Sequence, residues 1–274
     1  MVERRLESLR LRIISALVMI PGALAAAWVG GWLLNGVVVV VALLMLGEWH
    51  RMVTGRAADR GAAAGGALIV AVLVLAGFGE LAAALGVLLT ALPASALVAY
   101  ASGGAPGWAA LGTLYIGLPS VALIWLRSHV LVGQFGLVWL FVVVWATDTG
   151  AFAVGRLVGG AKLWPRLSPN KTWAGLFGGI VLAAATGWLA AVAGRLTPLP
   201  GWVAISALVA LAAEAGDLAE SAVKRRFGVK DSGGLIPGHG GVLDRLDGLM
   251  FAAPVLALVV FLGGGVAGWH GWLR

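Results

Sequence analysis

The chain has 274 residues, of which 61% are hydrophobic and only 11% are charged. Ordinary soluble domains carry roughly 25% charged residues, so this composition excludes a soluble protein and indicates that the chain is folded in a lipid bilayer. The net charge of +7 would suit nucleic acid, but the basic residues follow membrane topology, and we expect no nucleic acid partner. The absence of cysteine excludes disulfides and thiolate metal sites.

Apolar segments long enough to cross a membrane follow one another along the chain. A spanning helix needs about 20 largely apolar residues. Candidate spans lie near 13–30, 32–48, 62–78, 81–100, 107–126, 136–155, 173–193, 202–222 and 248–268. The Val37–Val41 run favours a strand by propensity, but inside a long apolar stretch a helix satisfies the backbone polar groups. We therefore predict an all-α, polytopic integral membrane protein with about nine transmembrane helices.

The distribution of basic residues predicts the orientation of these helices. If the N-terminus is cytoplasmic, sixteen of the 19 basic residues fall in cytoplasmic segments. The other side keeps Arg127, Arg195 and Arg274. Loops rich in lysine and arginine stay in the cytoplasm. We therefore predict a cytoplasmic N-terminus and a periplasmic C-terminus, in the cell (inner) membrane.

The two halves of the chain differ in content. Residues 1–135 are apolar spans with short loops and are predicted to form an N-terminal transmembrane region. Residues 136–274 contain further spans and two long cytoplasmic loops, at about 156–172 and 223–247. Most of the candidate chemistry lies in these loops and beside them. The second half is therefore predicted to carry the catalytic site, facing the cytoplasm.

Several acidic residues lie within predicted spans or at their cytoplasmic ends. They are Asp148, Glu214, Asp217 and Glu220. A carboxylate inside a bilayer costs about 2.5–3.5 kcal/mol even on insertion scales, so each is a functional candidate. On a helix, Ser221 and Lys224 share a face with Asp217. The alternative is that such a carboxylate only reaches the interface, and for Glu220 both interpretations stay open.

The next segment combines cations, glycines and carboxylates. It runs from Ser221-Ala-Val-Lys224-Arg225 through Lys230-Asp231 and Pro237-Gly238-His239-Gly240-Gly241 to Asp244-Arg245-Leu-Asp247. Cations suit phosphates, and glycines permit positive φ and close backbone approach to a ligand. Carboxylates are the oxygen ligands that Mg²⁺ prefers. The segment indicates a metal–nucleotide or metal–pyrophosphate site, the alternative being a basic loop paired with its own acids.

This segment resembles the signature of the phosphatidate cytidylyltransferases, also called CDP-diacylglycerol synthases. Their pattern is Ser-x-x-Lys-Arg, then Lys-Asp, Pro-Gly-His-Gly-Gly and Asp-Arg-x-Asp, and every fixed position is present in residues 221–247. Residues 148–152 and 168–175 also resemble the family. Many members carry glutamate where this chain has Ala174, so no role is assigned to that position.

The resemblance implies a reaction and a set of site residues. CTP and phosphatidate would give CDP-diacylglycerol and pyrophosphate, in phospholipid biosynthesis. The cofactor implied is Mg²⁺, with a second cation left open, bound by Asp217 and Asp244, with Asp247 a weaker candidate. The catalytic residues implied are Asp217, Asp244, Lys224, Arg225 and His239. The substrate-binding residues implied are Ser168, Lys171, Thr172, Ser221, Lys230, Asp231, Arg245 and Asp148. A homodimer is also implied.

His239 has three possible roles in this scheme. It could hydrogen-bond a phosphate, protonate the leaving pyrophosphate or fix the loop, in that order of preference.

Two other functions compete with this interpretation. A CTP-dependent membrane lipid kinase would use similar chemistry on another lipid. A transporter would use the intramembrane carboxylates to carry protons or cations, but it does not explain the Pro-Gly-His-Gly-Gly loop.

We expect a tag placed before Glu3 to be cytoplasmic and a reporter fused after Arg274 to be periplasmic, because the basic residues orient the spans. Protease protection of the tag and activity of the reporter measure the two locations. Both termini on one side would indicate an even number of spans and contradict the predicted topology.

Overall fold

Helices dominate the computed structural model, which describes residues 2–56, 59–129, 133–196, 199–236, 238 and 240–263. The described helices are α1 (Val2–Val29), α2 (Gly31–Thr54), α3 (Arg60–Gly77), α4 (Leu81–Ala101), α5 (Pro106–Ser128), α6 (Gly133–Val158), α7 (Trp173–Gly194), α8 (Leu199–Arg226) and α9 (Leu243–Leu262). Between α6 and α7, the strands β1 (Lys162–Trp164) and β2 (Ser168–Thr172) form an antiparallel hairpin.

Within the described residues, the eight helices α2 to α9 are long and apolar enough to cross a membrane. The apolar part of α1, Ile14–Val29, is shorter. Large apolar side chains stand exposed on these helices, as at Leu97 and Val181, and lipid is the solvent in which such exposure is stable. The prediction of an all-α, polytopic membrane protein is confirmed, and the Val37–Val41 run is helical.

The observed elements extend beyond several predicted spans, as α1 does by beginning at Val2 and α2 by ending at Thr54, and three differences lie in the second half of the chain. Helix α8 continues to Arg226, beyond the predicted end near residue 222, and an ion pair between Glu220 and Lys224 joins two turns of this last part. Helix α9 begins at Leu243 rather than near residue 248. The hairpin inside the predicted loop 156–172 was missed, since strands of three and five residues are too short to show a period of two. The end of the last predicted span, 264–268, lies outside the described residues.

The chain divides into two compact units. The first consists of Met1–Ser128 and Arg226–Leu246, and the second of His129–Arg225 and Asp247–Arg274. In the first unit, α3 and α5 each pack against both α2 and α4. In the second, α6 packs along α7, and β2 contacts both of these helices. The predicted boundary at residue 135 separates an apolar first half from a second half that carries the catalytic site, and it stays a prediction.

Arg127 closes the turn between α1 and α2. Its Nε donates to the Ala27 carbonyl at 2.7 Å, and its Nη2 donates to the Trp28 carbonyl at 2.9 Å. The last carbonyls of a helix lack hydrogen-bond donors within the helix, and here the guanidinium of Arg127 donates to them. A Cβ at Gly30, where φ is 67°, would overlap this guanidinium. Glycine is therefore required both by the backbone angle and by the space.

Helices α6 and α7 approach each other through glycines. A Cβ at Gly150 would lie 2.6 Å from the Gly178 carbonyl oxygen, and one at Gly175 would lie 2.8 Å from the Ala151 carbonyl oxygen. Small residues permit such close backbone contact, which stabilises helix pairs in lipid by van der Waals packing. The glycines of this pair are therefore packing residues.

Replacing Gly150 with alanine should destabilise the detergent-solubilised protein by about 1–3 kcal/mol, the usual cost of overpacking. Thermal unfolding measures the effect. Gly86→Ala in α4 is the matched control, because nothing lies within 4 Å of its Cβ position and alanine favours a helix over glycine by about 1 kcal/mol. Equal melting temperatures of the two variants would contradict the packing role of Gly150.

Candidate active site

A partly buried lysine joins two carboxylates in the second unit. Lys171, near the end of β2, has its Nζ 2.6 Å from Glu214 Oε2 and 2.7 Å from Asp217 Oδ2. The Glu214 side chain is 7% exposed, whereas that of Asp217 is 34% exposed. Glu214 and Asp217 lie about one turn apart on α8, so one ammonium group bridges both. Lys171 therefore ties the hairpin to α8 and leaves part of Asp217 accessible.

The charge of Lys171 is maintained by these carboxylates. Burial by itself disfavours the ammonium form, but Asp217 and Glu214 more than offset this and raise the pKa of Lys171 above its ordinary value. Lys171 is therefore a fixed positive charge at neutral pH.

Two further contacts continue along the same helix. Lys224 pairs with Glu220, which is fully buried, and the i,i+4 spacing brings such pairs together. Ser221 Oγ donates to Asp217 Oδ1 at 3.3 Å. The predicted shared face of Asp217, Ser221 and Lys224 is thus present on α8.

Asp247 lies against α8 at this level. A Cβ at Gly216 would collide with the Asp247 carbonyl oxygen, so the absence of a side chain lets α8 and α9 come together. The carboxylates of Asp217, Glu220 and Asp148 act electrostatically on Asp247. Acidic side chains are thus gathered near Asp247 in this unit, and two of them, Asp217 and Glu220, are paired with lysines.

Two predicted substrate-binding residues of the hairpin occupy different positions. Ser168 begins β2, where it is partly buried. Thr172 ends β2 and is buried, and its Oγ1 accepts a hydrogen bond from the Gly175 backbone N–H at 3.0 Å. Thr172 is therefore the N-cap of α7.

The first unit contains the loop that carries most of the signature. We call residues 230–242 the signature loop. Asp244, in the first turn of α9, accepts hydrogen bonds from the backbone N–H groups of Gly241 at 2.8 Å and Ser232 at 3.0 Å. Lys230 and Asp231 in the loop, and Arg245 just after it, are exposed. His239 lies outside the described residues.

The glycines of this loop serve two different purposes. Gly238 and Gly240 have φ angles of 77° and 84°, as the turn requires. Gly241 is needed for space instead, because a Cβ there would overlap Ser232 Oγ and approach Glu48 Oε2 at 2.6 Å.

Glu48 is the residue that the sequence analysis missed. This buried glutamate of α2 accepts hydrogen bonds from the backbone N–H groups of Leu243 at 2.9 Å and Val242 at 3.0 Å, and from Ser232 Oγ at 3.2 Å. Glu48 ends the predicted span 32–48 and therefore carries the same signal as the intramembrane acids of the second half, namely a carboxylate at the end of an apolar span. Its partners could not have been predicted, since they lie far along the chain.

The donor types around Asp217 suit a divalent cation. They are carboxylate oxygens, the ligands that Mg²⁺ prefers, and Asp217 is partly exposed, with only its Oδ2 paired with Lys171 Nζ. In the described part of the chain, no three acidic or histidine side chains converge as a ready metal site. Mg²⁺ commonly takes only one or two carboxylates, with waters and substrate phosphates completing its shell. Asp217 and Asp247 therefore fit such an ion in donor type.

The fold and the site define a multi-pass membrane protein whose paired charges and glycine-rich, cation-bearing loop suit phosphate groups. The chain belongs to the cytidylyltransferase family, whose profile matches residues 10–262. It is 40% identical to the phosphatidate cytidylyltransferase of Brucella suis biovar 1 (strain 1330) over 257 residues, covering 92% of this chain and 93% of that relative. It is 44% identical to the phosphatidate cytidylyltransferase of Bacillus subtilis (strain 168) over 134 residues, covering 47% of this chain and 49% of the relative. The resemblance drawn from the signature is confirmed, and the protein is a nucleotidyltransferase.

Replacing Lys171 with methionine should destabilise the protein, because two carboxylates then lose their shared cation. Breaking a buried ion pair costs about 3–5 kcal/mol of folding free energy. Because Asp217 is partly exposed, we expect the free energy of unfolding to fall by about 3 kcal/mol or less. Thermal unfolding in detergent measures it. Lys162→Met, at an exposed position of the same hairpin, is the control, and an equal loss in both variants would contradict the bridging role.

Proposed function

We propose that this protein transfers the cytidylyl group of CTP to phosphatidate, forming CDP-diacylglycerol and releasing pyrophosphate. The observation that carries the proposal is membership of the cytidylyltransferase family over residues 10–262. The names of the relatives supply the lipid substrate. Neither the lipid kinase nor the transporter is favoured by these matches.

The reaction depends on bringing two polyanions together. A phosphatidate oxygen attacks the α-phosphorus of CTP, a new P–O bond forms, and the bond to the bridging oxygen breaks as pyrophosphate leaves. Phosphatidate is already an anionic nucleophile, so a strong general base is unnecessary. Orientation and neutralisation of charge therefore provide the catalysis, as in other phosphoryl transfers.

Two cations of the second unit are suited to this task because carboxylates hold them in place. Lys171 is fixed by Glu214 and Asp217, and Lys224 is fixed by Glu220. A cation that is already oriented does not need to reorganise when phosphate arrives. The exposed Arg225, Lys230 and Arg245 are proposed to bind phosphates directly. His239 is proposed to hydrogen-bond a phosphate, with protonation of pyrophosphate as its second candidate role.

The metal proposed for this site is Mg²⁺. Asp217 and Asp247 would hold it, and the ion would supply neutralisation of the triphosphate charge. The assignment of Asp244 to the metal stays a prediction. Its Oδ1 accepts a hydrogen bond from the Ser232 N–H and its Oδ2 accepts from the Ser232 and Gly241 N–H groups, and carboxylate oxygens have further lone pairs available.

We also propose the cellular setting of this reaction. The positive-inside distribution supports a cytoplasmic location for the cations of the site, where CTP is available, and the membrane would be the cell (inner) membrane. A homodimer is proposed from the resemblance alone.

Incubation of the detergent-solubilised protein with labelled CTP and phosphatidate tests the function. Formation of a labelled CDP-lipid together with pyrophosphate is expected. Release of labelled CDP with phosphorylation of a lipid alcohol would identify a kinase. If neither a CDP-lipid nor CDP forms, the transporter is the remaining candidate.

Asp217→Asn should nearly abolish turnover in this assay while the protein stays folded, because the amide keeps the shape of the carboxylate but loses the charge that binds a cation. EDTA should inhibit the unaltered protein, and added Mg²⁺ should restore activity. Glu80→Gln, which alters an exposed carboxylate, should have no effect. Retention of more than about a tenth of the activity, equivalent to less than ~1.4 kcal/mol of barrier, would exclude Asp217 as a metal ligand.

A further inference from the structure

The signature loop is anchored by a carboxylate that no signature position supplies. Glu48 Oε1 accepts from the Val242 N–H, whereas Oε2 accepts from the Leu243 N–H and from Ser232 Oγ. Glu48 is only 4% exposed. The loop is thus bound at both ends, at Ser232 and at the start of α9, by one buried side chain of α2.

The charge of Glu48 suits this position. The first N–H groups of a helix have no partner within the helix and carry a partial positive charge. Glu48 presents a carboxylate to these groups at the start of α9. A buried charge is stable when such donors surround it, so the carboxylate and the helix end stabilise each other.

The glycines around Glu48 show that the fit is tight. A Cβ at Gly233 would lie 2.5 Å from Glu48 Oε1 and 2.9 Å from its Cδ. At the next residue, Gly234, nothing lies within 4 Å of the Cβ position. Neither residue has a positive φ angle, so alanine differs between the two positions only in what it meets. This adjacent pair separates an effect on Glu48 from a general effect on the loop.

We propose that Glu48 is a positioning residue for cytidylyl transfer: it holds the signature loop in the conformation in which the loop and the start of α9 present their polar groups to substrate phosphates. This inference rests on the proposed function. Glu48 is enclosed by the loop and acts through the hydroxyl of Ser232 and the backbone N–H groups of Val242 and Leu243. Loss of its charge frees the loop and removes the orientation on which the transfer depends.

Glutamine at position 48 tests the role of the carboxylate. An amide has one acceptor oxygen and an NH₂ donor, so at least one of the three donors would face another donor. We expect Glu48→Gln to lower kcat/KM for CTP at least tenfold. Gly233→Ala should also lower it at least tenfold, whereas Gly234→Ala and Glu80→Gln should stay within twofold of the unaltered protein.

A second measurement reports the mobility of the signature loop and does not depend on enzyme activity. The chain has no cysteine, so a single cysteine at Leu235, which is 54% exposed, can carry a spin label. We expect a restricted spectrum in the unaltered background and in Gly234→Ala, and a more mobile one in Glu48→Gln and Gly233→Ala. A label at Ala101, on exposed α4 surface in the same unit, should not change in any of these variants.

The outcomes separate the alternatives. A label at position 235 that stays restricted in Glu48→Gln overturns the proposal, as does a freed loop with kcat/KM within twofold. Mobility at both 235 and 101 would mean a general loss of fold and would also overturn it. If Glu48→Gln does not fold, the comparison of Gly233→Ala with Gly234→Ala decides, and equal effects of the two overturn the proposal. If the unaltered protein forms no CDP-lipid, the proposed function fails and the positioning role fails with it, while the label still shows whether Glu48 orders the loop.

Discussion

A charge removed from water is stable only when an opposite charge or several N–H donors surround it, and the polar part of this protein is arranged around that constraint. Lys171 is shared by Glu214 and Asp217, and Glu220 is paired with Lys224. Glu48 is surrounded by donors of the signature loop. Each of these contacts joins either two elements that are distant in sequence or two successive turns of one helix. The charged groups are thus structural ties as well as chemical groups.

These pairings also bear on the proposed transfer between phosphate groups, because they fix the positions of two cations in advance. Cations on flexible side chains lose conformational entropy when they are ordered by a ligand. Lys171 and Lys224 have lost much of that freedom already, because carboxylates hold them. The partly exposed Asp217 lies where these paired charges meet the accessible surface. Preorganised charge of this kind is the main means by which phosphoryl transfer is catalysed.

The sequence predicts the features that depend on local pattern. The length and hydropathy of each segment predicted the helices, and helical spacing predicted the shared face of Asp217 and Ser221. The link from Lys171 to Glu214 spans 43 residues, and no local pattern carries information about it. The contacts of Glu48 are equally distant in sequence, and no local pattern predicts them. The glycines of the signature were predicted to permit positive φ and close backbone approach to a ligand. Gly238 and Gly240 do have positive φ angles, whereas Gly241 leaves space for Ser232 and Glu48.

The distance in sequence between Glu48 and its partners has a consequence for biogenesis. Ser232 and Leu243 follow it by 184 and 195 residues. At translation rates of about 5–20 residues per second, α2 is made roughly 10–40 s before the groups that surround its carboxylate exist. During that interval the nascent chain holds an acidic group in a long apolar helix without its final donors, so water must supply its hydrogen bonds. Enclosure of Glu48 is therefore a late event in assembly, and a ribosome that stalls before the codon for Ser232 leaves a membrane segment whose acid has none of these donors.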